Sequence, residues 1–165
     1  MRAFMVKVLV CDNIHEEGIE LMRKAGINVD VKLGLTADEL KATLWTYDGV
    51  VVRSRTKVGR DIIESSPHLK FIARVGVGLD NIDVQAAEEH GIKILNSPEA
   101  ASQSVAEHTF ALILAVARRL SYADRSVKDG KWIKNQLMSI QLTGKTLGII
   151  GFGRIGLKVA KIAKA

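Results

Sequence analysis

Val50-Val51-Val52-Arg53-Ser54-Arg55-Thr56-Lys57 is the stretch on which the reading of this chain turns. Its apolar half does not alternate with polar residues, as expected of a strand in a parallel sheet whose two faces are both covered by helices. Its cationic half follows at the carboxyl end of that strand, where ligands bind in open parallel sheets. Residues two apart in extended chain share a face, so Arg53 and Arg55 can present two guanidinium groups to one carboxylate or phosphate, with Ser54 between them. The competing reading is a solvated loop whose arginines pair with Asp61 or Glu64.

Short β-branched runs alternate with amphipathic segments on both sides of this stretch. Val6 to Cys11, Val29 to Lys32, Val50 to Arg53, Phe71 to Val75 and Ile92 to Leu95 read as strands, and strands separated by helices imply a parallel α/β sheet. Thr36 and Glu39 form a capping-box pair, Gly26 and Gly91 stand where helices should end, and Pro67 stops continuation after Ser66. Residues 1–98 are therefore expected to form one small α/β domain, with Pro98 as a hinge.

Beyond it, a long helix is predicted from Ser104, with Glu107 three residues on, through Leu120. Val105, Phe110, Leu112, Ile113, Leu114 and Val116 make it apolar nearly all round, so it should be buried on several sides and pack against a second copy of the chain. Tyr122 to Asp129 reads as a further helix ended by Gly130, and an irregular segment runs from Lys131-Trp132 to Gly144. Thr146 to Ile150 then reads as a buried strand, followed by Gly151-Phe152-Gly153-Arg154-Ile155-Gly156 and a helical run to Ala165. That order is the first unit of a dinucleotide-binding fold, which makes residues 99–165 a linking helix and the start of a second domain. Gly151 permits the turn, Gly153 lets the backbone approach a pyrophosphate, and Gly156 allows helix to pack on strand. The alternative is a tight packing turn without a ligand.

Composition excludes several classes. With 165 residues, 47% hydrophobic and 25% charged, 2 prolines and no low-complexity stretch, the chain is globular. The start lacks the apolar run and cleavage site of a secretory signal, and no run approaches the ~20 apolar residues that span a bilayer. A cytoplasmic protein with no membrane role is expected. Cys11 is the only cysteine, which suits a reducing compartment and reads as a buried thiol. The net charge of +6 comes largely from dispersed lysines such as Lys24, Lys41, Lys93 and Lys128, without aromatic interleaving, so small anions rather than nucleic acid are the expected partners.

A second loop, Arg74-Val75-Gly76-Val77-Gly78-Leu79-Asp80-Asn81, also follows a strand and carries two glycines that would bare backbone N–H groups to an anion. His15, His68, His90 and His108 lie in or beside helices and read as surface or packing residues. No metal-ligand spacing is present, and no serine or cysteine triad.

Taken in order and spacing, the Val52–Val58 string, the Gly76–Asp83 loop, Asn96-Ser97-Pro98, Val105-Ala106-Glu107, Asp129-Gly130-Lys131-Trp132 and Gly144–Gly156 resemble the D-2-hydroxyacid dehydrogenases of the phosphoglycerate type. The resemblance covers nearly the whole chain as the amino-terminal half of such an enzyme. It implies a flavodoxin-like substrate domain, a long helix used in homodimer contact, and an NAD-binding Rossmann domain begun but not completed by residue 165. It also implies that Arg53, Ser54, Arg55 and the Gly76-Val77-Gly78 loop hold an anionic hydroxy acid, Val77 and Gly78 through backbone amides. Gly151, Gly153, Arg154, Ile155 and Gly156 would lie against the cofactor pyrophosphate. Ala101 departs from the family, which often carries Asn or Ser there; Ser102 or Ser104 would have to compensate. The family's catalytic Arg, Glu and His come later, so this chain alone is expected to be inactive, and the acidic ribose-binding residue that separates NAD from NADP is likewise not within it. Glyoxylate or hydroxypyruvate reduction is the alternative activity, and a non-catalytic binding or dimerisation module the alternative class.

Overall fold

A computed structural model describes residues 5–165, which fall into two compact units divided after Pro98. The first unit is a five-stranded parallel sheet in the order β2-β1-β3-β4-β5, made of β1 (Lys7–Val10), β2 (Asn28–Val31), β3 (Gly49–Val52), β4 (Phe71–Arg74) and β5 (Lys93–Asn96). Each of the five strands expected within residues 1–98 is present to within a residue at its ends, and Lys93, expected on a helix face, opens β5. Every β3 residue is buried, as its unbroken apolar run requires.

Four helices cross between these strands: α1 (Glu16–Lys24), α2 (Ala37–Leu44), α3 (Arg60–Glu64) and α4 (Val84–Glu89). Alternate residues of each strand feed two separate cores. Leu9, Val50, Val52 and Ile72 pack with Leu40 and Leu44 of α2, Ile62 and Ile63 of α3, and Ala86 and Ala87 of α4. Val8, Val10, Val29 and Val51 pack with Ile19 of α1. Thr36 caps α2 reciprocally with Glu39, and Gly26 and Gly91 take positive φ (80° and 67°) where α1 and α4 end.

The second unit contains α5 (Ser102–Ala117), α6 (Leu120–Lys128), a single 3-10 turn (Lys134–Gln136) and α7 (Arg154–Lys164). α5 packs on α7, and Lys158 Nζ donates to Gln103 Oε1 at 3.1 Å between them. Two expectations, the start of the long helix and the strand at Thr146–Ile150, are corrected here. The long helix begins at Ser102, not Ser104, and no side-chain cap forms; Gln103 instead donates to Glu107 one turn on. Within the single chain only Ser102, Ala106 and Ala117 of α5 are buried and Val116 is 79% exposed, so its own unit covers a small part of the apolar surface. Thr146–Ile150 forms no strand, and Ile150 is fully exposed. A strand exists only against a ladder partner, and this unit offers none.

Among the described residues no helix is long and apolar enough to cross a membrane, and no cluster of His, Cys, Asp or Glu could hold a metal ion.

Candidate functional site

Because all five strands run parallel, their carboxyl ends gather on one edge. The order 2-1-3-4-5 places the topological switch point between β1 and β3, the position where a crevice opens in such sheets. A cleft of about 290 Å³ lies there, lined by Cys11, Asp12, Asn13, Leu33, Arg53, Ser54 and Arg55. The cationic stretch read from sequence therefore forms part of a real concavity. Arg55 also borders a neighbouring hollow of about 200 Å³ with Leu35, Thr36, Ala37, Leu40, Thr56 and Lys57.

The arginines are not consumed by the acids of the competing reading. Asp61 and Glu64 make no ion pair with Arg53 or Arg55; Glu64 pairs instead with Arg60, which also meets Asp83 and Glu89. Arg53 Nη1 donates only to the Asn13 carbonyl, at 3.2 Å, leaving most of the guanidinium fork available. Arg74, on the adjoining strand β4, has its Nε inaccessible to solvent and without a protein acceptor.

The sequence alone assigns no role to two residues at this edge: Asp12, and Asn81, which stands there only as the end of the second loop. Asp12 is buried, and its carboxylate accepts from Arg53 N (2.6 Å), Thr56 N (3.2 Å) and Thr56 Oγ1 (2.9 Å). Asn81, also buried, donates through Nδ2 to the carbonyls of Arg53 (2.7 Å) and Thr56 (2.6 Å). Only tertiary placement reveals what either does, since their partners Arg53 and Thr56 are distant in sequence. Cys11 behaves as a buried apolar group: burial, reinforced by Asp12, pushes its thiol up to about 12 and removes it as a nucleophile at neutral pH.

The Gly76-Val77-Gly78 loop follows β4 on the same edge but does not line the cleft. Gly76 has φ +147°, and a Cβ there would collide with the Arg74 guanidinium. Its N–H is taken by Ser97 Oγ at 2.8 Å, so Gly76 shapes the loop without offering a donor. The N–H groups of Val77 and Gly78 meet no protein acceptor among the described residues, while Asn96 Nδ2 anchors the Val77 carbonyl at 2.9 Å.

In the second unit, Gly151 takes φ +90° and Gly153 stands at the N-cap of α7 with no side-chain cap. A Cβ at Gly156 would collide with the Gly151 carbonyl oxygen, whereas one at Gly153 would meet nothing within 4 Å. The turn is thus tight on its inner side and open on its outer side, where the first N–H groups of an 11-residue helix emerge. Arg154 reaches Glu99 at 3.9 Å on an exposed surface, and Ile155 is exposed. Ser102 and Ser104 give no hydrogen bond that replaces the polar group missing at Ala101.

A five-stranded parallel sheet with helices between its strands and a cationic cleft at its switch point defines the class, an open α/β fold. Residues 8–152 match the family model described as D-isomer specific 2-hydroxyacid dehydrogenase, catalytic domain, and the chain belongs to that family. It is 50% identical over 160 residues to the D-3-phosphoglycerate dehydrogenase of Archaeoglobus fulgidus, covering 97% of this chain and 30% of that protein. It is 51% identical over 160 residues to the hydroxypyruvate reductase of Thermotoga maritima, covering 96% of this chain and 52% of that protein. Among solved structures, the TT0316 protein of Thermus thermophilus superposes with a TM-score of 0.88 at 33% identity, over 96% of this chain and 53% of that one.

Proposed function

We propose that this chain is the amino-terminal part of an NAD-dependent oxidoreductase that transfers hydride between NAD and a D-2-hydroxy acid, with 3-phosphoglycerate as the substrate and serine biosynthesis as the setting. The observation that carries the reading is the switch-point cleft lined by Arg53, Ser54 and Arg55, whose guanidinium groups have no acidic partner. Such groups bind a carboxylate or phosphate in pairs of charge-assisted hydrogen bonds. Val77 and Gly78 offer unpaired amides to the substrate carboxylate, and Gly76 sets their loop.

The glycine turn fits a dinucleotide: Gly151 makes the bend, Gly156 brings α7 onto it, and Gly153 leaves the approach to the helix end free of side chains. Arg154 and Ile155 would flank the pyrophosphate. When bound, the nicotinamide supplies the hydride acceptor. The residues of this chain orient and neutralise the acid; proton transfer from its hydroxyl falls to groups outside the 165 residues, so the chain by itself has no turnover. A cytoplasmic site suits its single buried thiol. Association with a second copy through α5 would cover Leu112, Leu114 and Val116, which the unit leaves exposed.

Hydroxypyruvate or glyoxylate reduction is favoured by the similarity to the Thermotoga maritima enzyme. Arg74 argues for the phosphorylated acid, because a guanidinium with a buried, partnerless Nε adds a further cation on the same edge. In the complete enzyme, Arg53→Ala is expected to raise KM for 3-phosphoglycerate by about 10- to 100-fold, the loss of a charge-assisted contact. An unchanged KM would overturn the assignment of the cleft, and a higher kcat/KM on hydroxypyruvate or glyoxylate than on phosphoglycerate would favour the second activity.

A further inference from the structure

The turn that carries Arg53 and Arg55 is not closed by its own backbone: among the described residues no main-chain hydrogen bond joins Arg53 to Thr56. Two side chains from elsewhere close it. Asp12, just past β1, takes the N–H groups of Arg53 and Thr56 and the Thr56 hydroxyl. Asn81, from the loop before α4, takes both carbonyls. One side chain thus satisfies the donors of the turn and the other its acceptors, and both are buried.

Charge makes the arrangement informative. A carboxylate beside an anion-binding turn opposes anion affinity by Coulomb repulsion. Its presence is explained by what it can accept, since a carboxylate provides several acceptor sites in one rigid plane. We propose that Asp12 and Asn81 are positioning residues, which hold the Arg53–Thr56 turn so that both guanidinium groups face the same substrate anion. The proposal deepens the reading of the cleft as the substrate site and rests on it. Asn81 is not among the residues lining the cleft, and Asp12 borders it with both carboxylate oxygens already engaged by Arg53 and Thr56, so each acts through the turn.

The test uses the complete enzyme with 3-phosphoglycerate and NAD. Asp12→Ala and Asn81→Leu are each expected to raise KM for the acid about tenfold, with kcat and KM for NAD within about twofold of the parent. Asp12→Asn can still accept both N–H groups and meet the Thr56 hydroxyl, so it is expected to recover most of what Asp12→Ala loses. Removing the negative charge alone would lower KM, so the sign separates positioning from electrostatics. Thr56→Val deletes a single contact and is expected to raise KM about threefold; it and Asn81→Leu decide the matter if Asp12→Ala does not fold. Parent-like KM in Asp12→Ala or Asn81→Leu, with Arg53→Ala impaired, would overturn the positioning role alone. So would equal losses in kcat and NAD binding that track a falling melting temperature. If Arg53→Ala is itself unaffected, the assignment of the cleft fails first, and the two failures are told apart.

Discussion

Tyr47 and Cys11 are buried protons that the fold holds more tightly than the unfolded chain does. Burial, aided by a 2.7 Å hydrogen bond to Asp30, pushes the Tyr47 phenol up to about 12 from 10.0, and burial pushes the Cys11 thiol up to about 12 from 9.0. A raised pKa in the folded state adds stability that is whole below the unfolded value and lost as pH rises through the folded one. Urea midpoints of the 165-residue protein are therefore expected to fall between pH 9 and about pH 12, and Tyr47→Phe is expected to flatten the part of that fall above pH 10. A variant with an unaltered slope would mean the phenol is not held as described. Single residues differ in how far sequence exposes them. Arg53 and Arg55 are legible because two cations two apart after an apolar run form a pattern; the roles of Asp12 and Asn81 are not, because they lie in contacts 41 to 44 and 25 to 28 residues away along the chain.

At the level of elements, the capping-box pattern occurs in the sequence at Thr36 and again at Ser104, and only the first forms. Thr36 Oγ1 accepts from Glu39 N at 3.3 Å and the Glu39 carboxylate returns to Thr36 N at 2.9 Å. Ser104 already sits inside α5, where its amide is in the first turn and its side chain caps nothing. Thr36→Ala is expected to cost about 1 kcal/mol, and Ser104→Ala to stay within about 0.5 kcal/mol of the parent in chemical denaturation. Comparable losses from the two would contradict the assigned helix starts. The five strands of the first unit are legible because each finds its neighbours within the unit. Thr146–Ile150 has the same apolar character and remains unpaired, since composition states a preference and only a ladder realises it.

For the molecule as a whole, the exposed apolar face of α5 is the feature least compatible with an isolated chain. Light scattering across the micromolar range is expected to give twice the monomer mass, and Leu112→Glu with Val116→Glu to shift it toward the monomer. A monomer throughout would remove α5 as the pairing surface. The order 2-1-3-4-5 is not legible from the residues alone; alternation of strands and helices announces a parallel sheet, while the position of its switch point depends on which strand lies beside β1. Arg53, Arg55, Asp12, Asn81 and the Gly76 loop all come from the stretch of chain that ends at Pro98. On the proposed function, recognition of the acid falls wholly within that stretch, so substitutions lining the cleft are expected to change which acid is accepted while leaving the glycine turn unaltered, a separation that KM values for several acids and for NAD would measure.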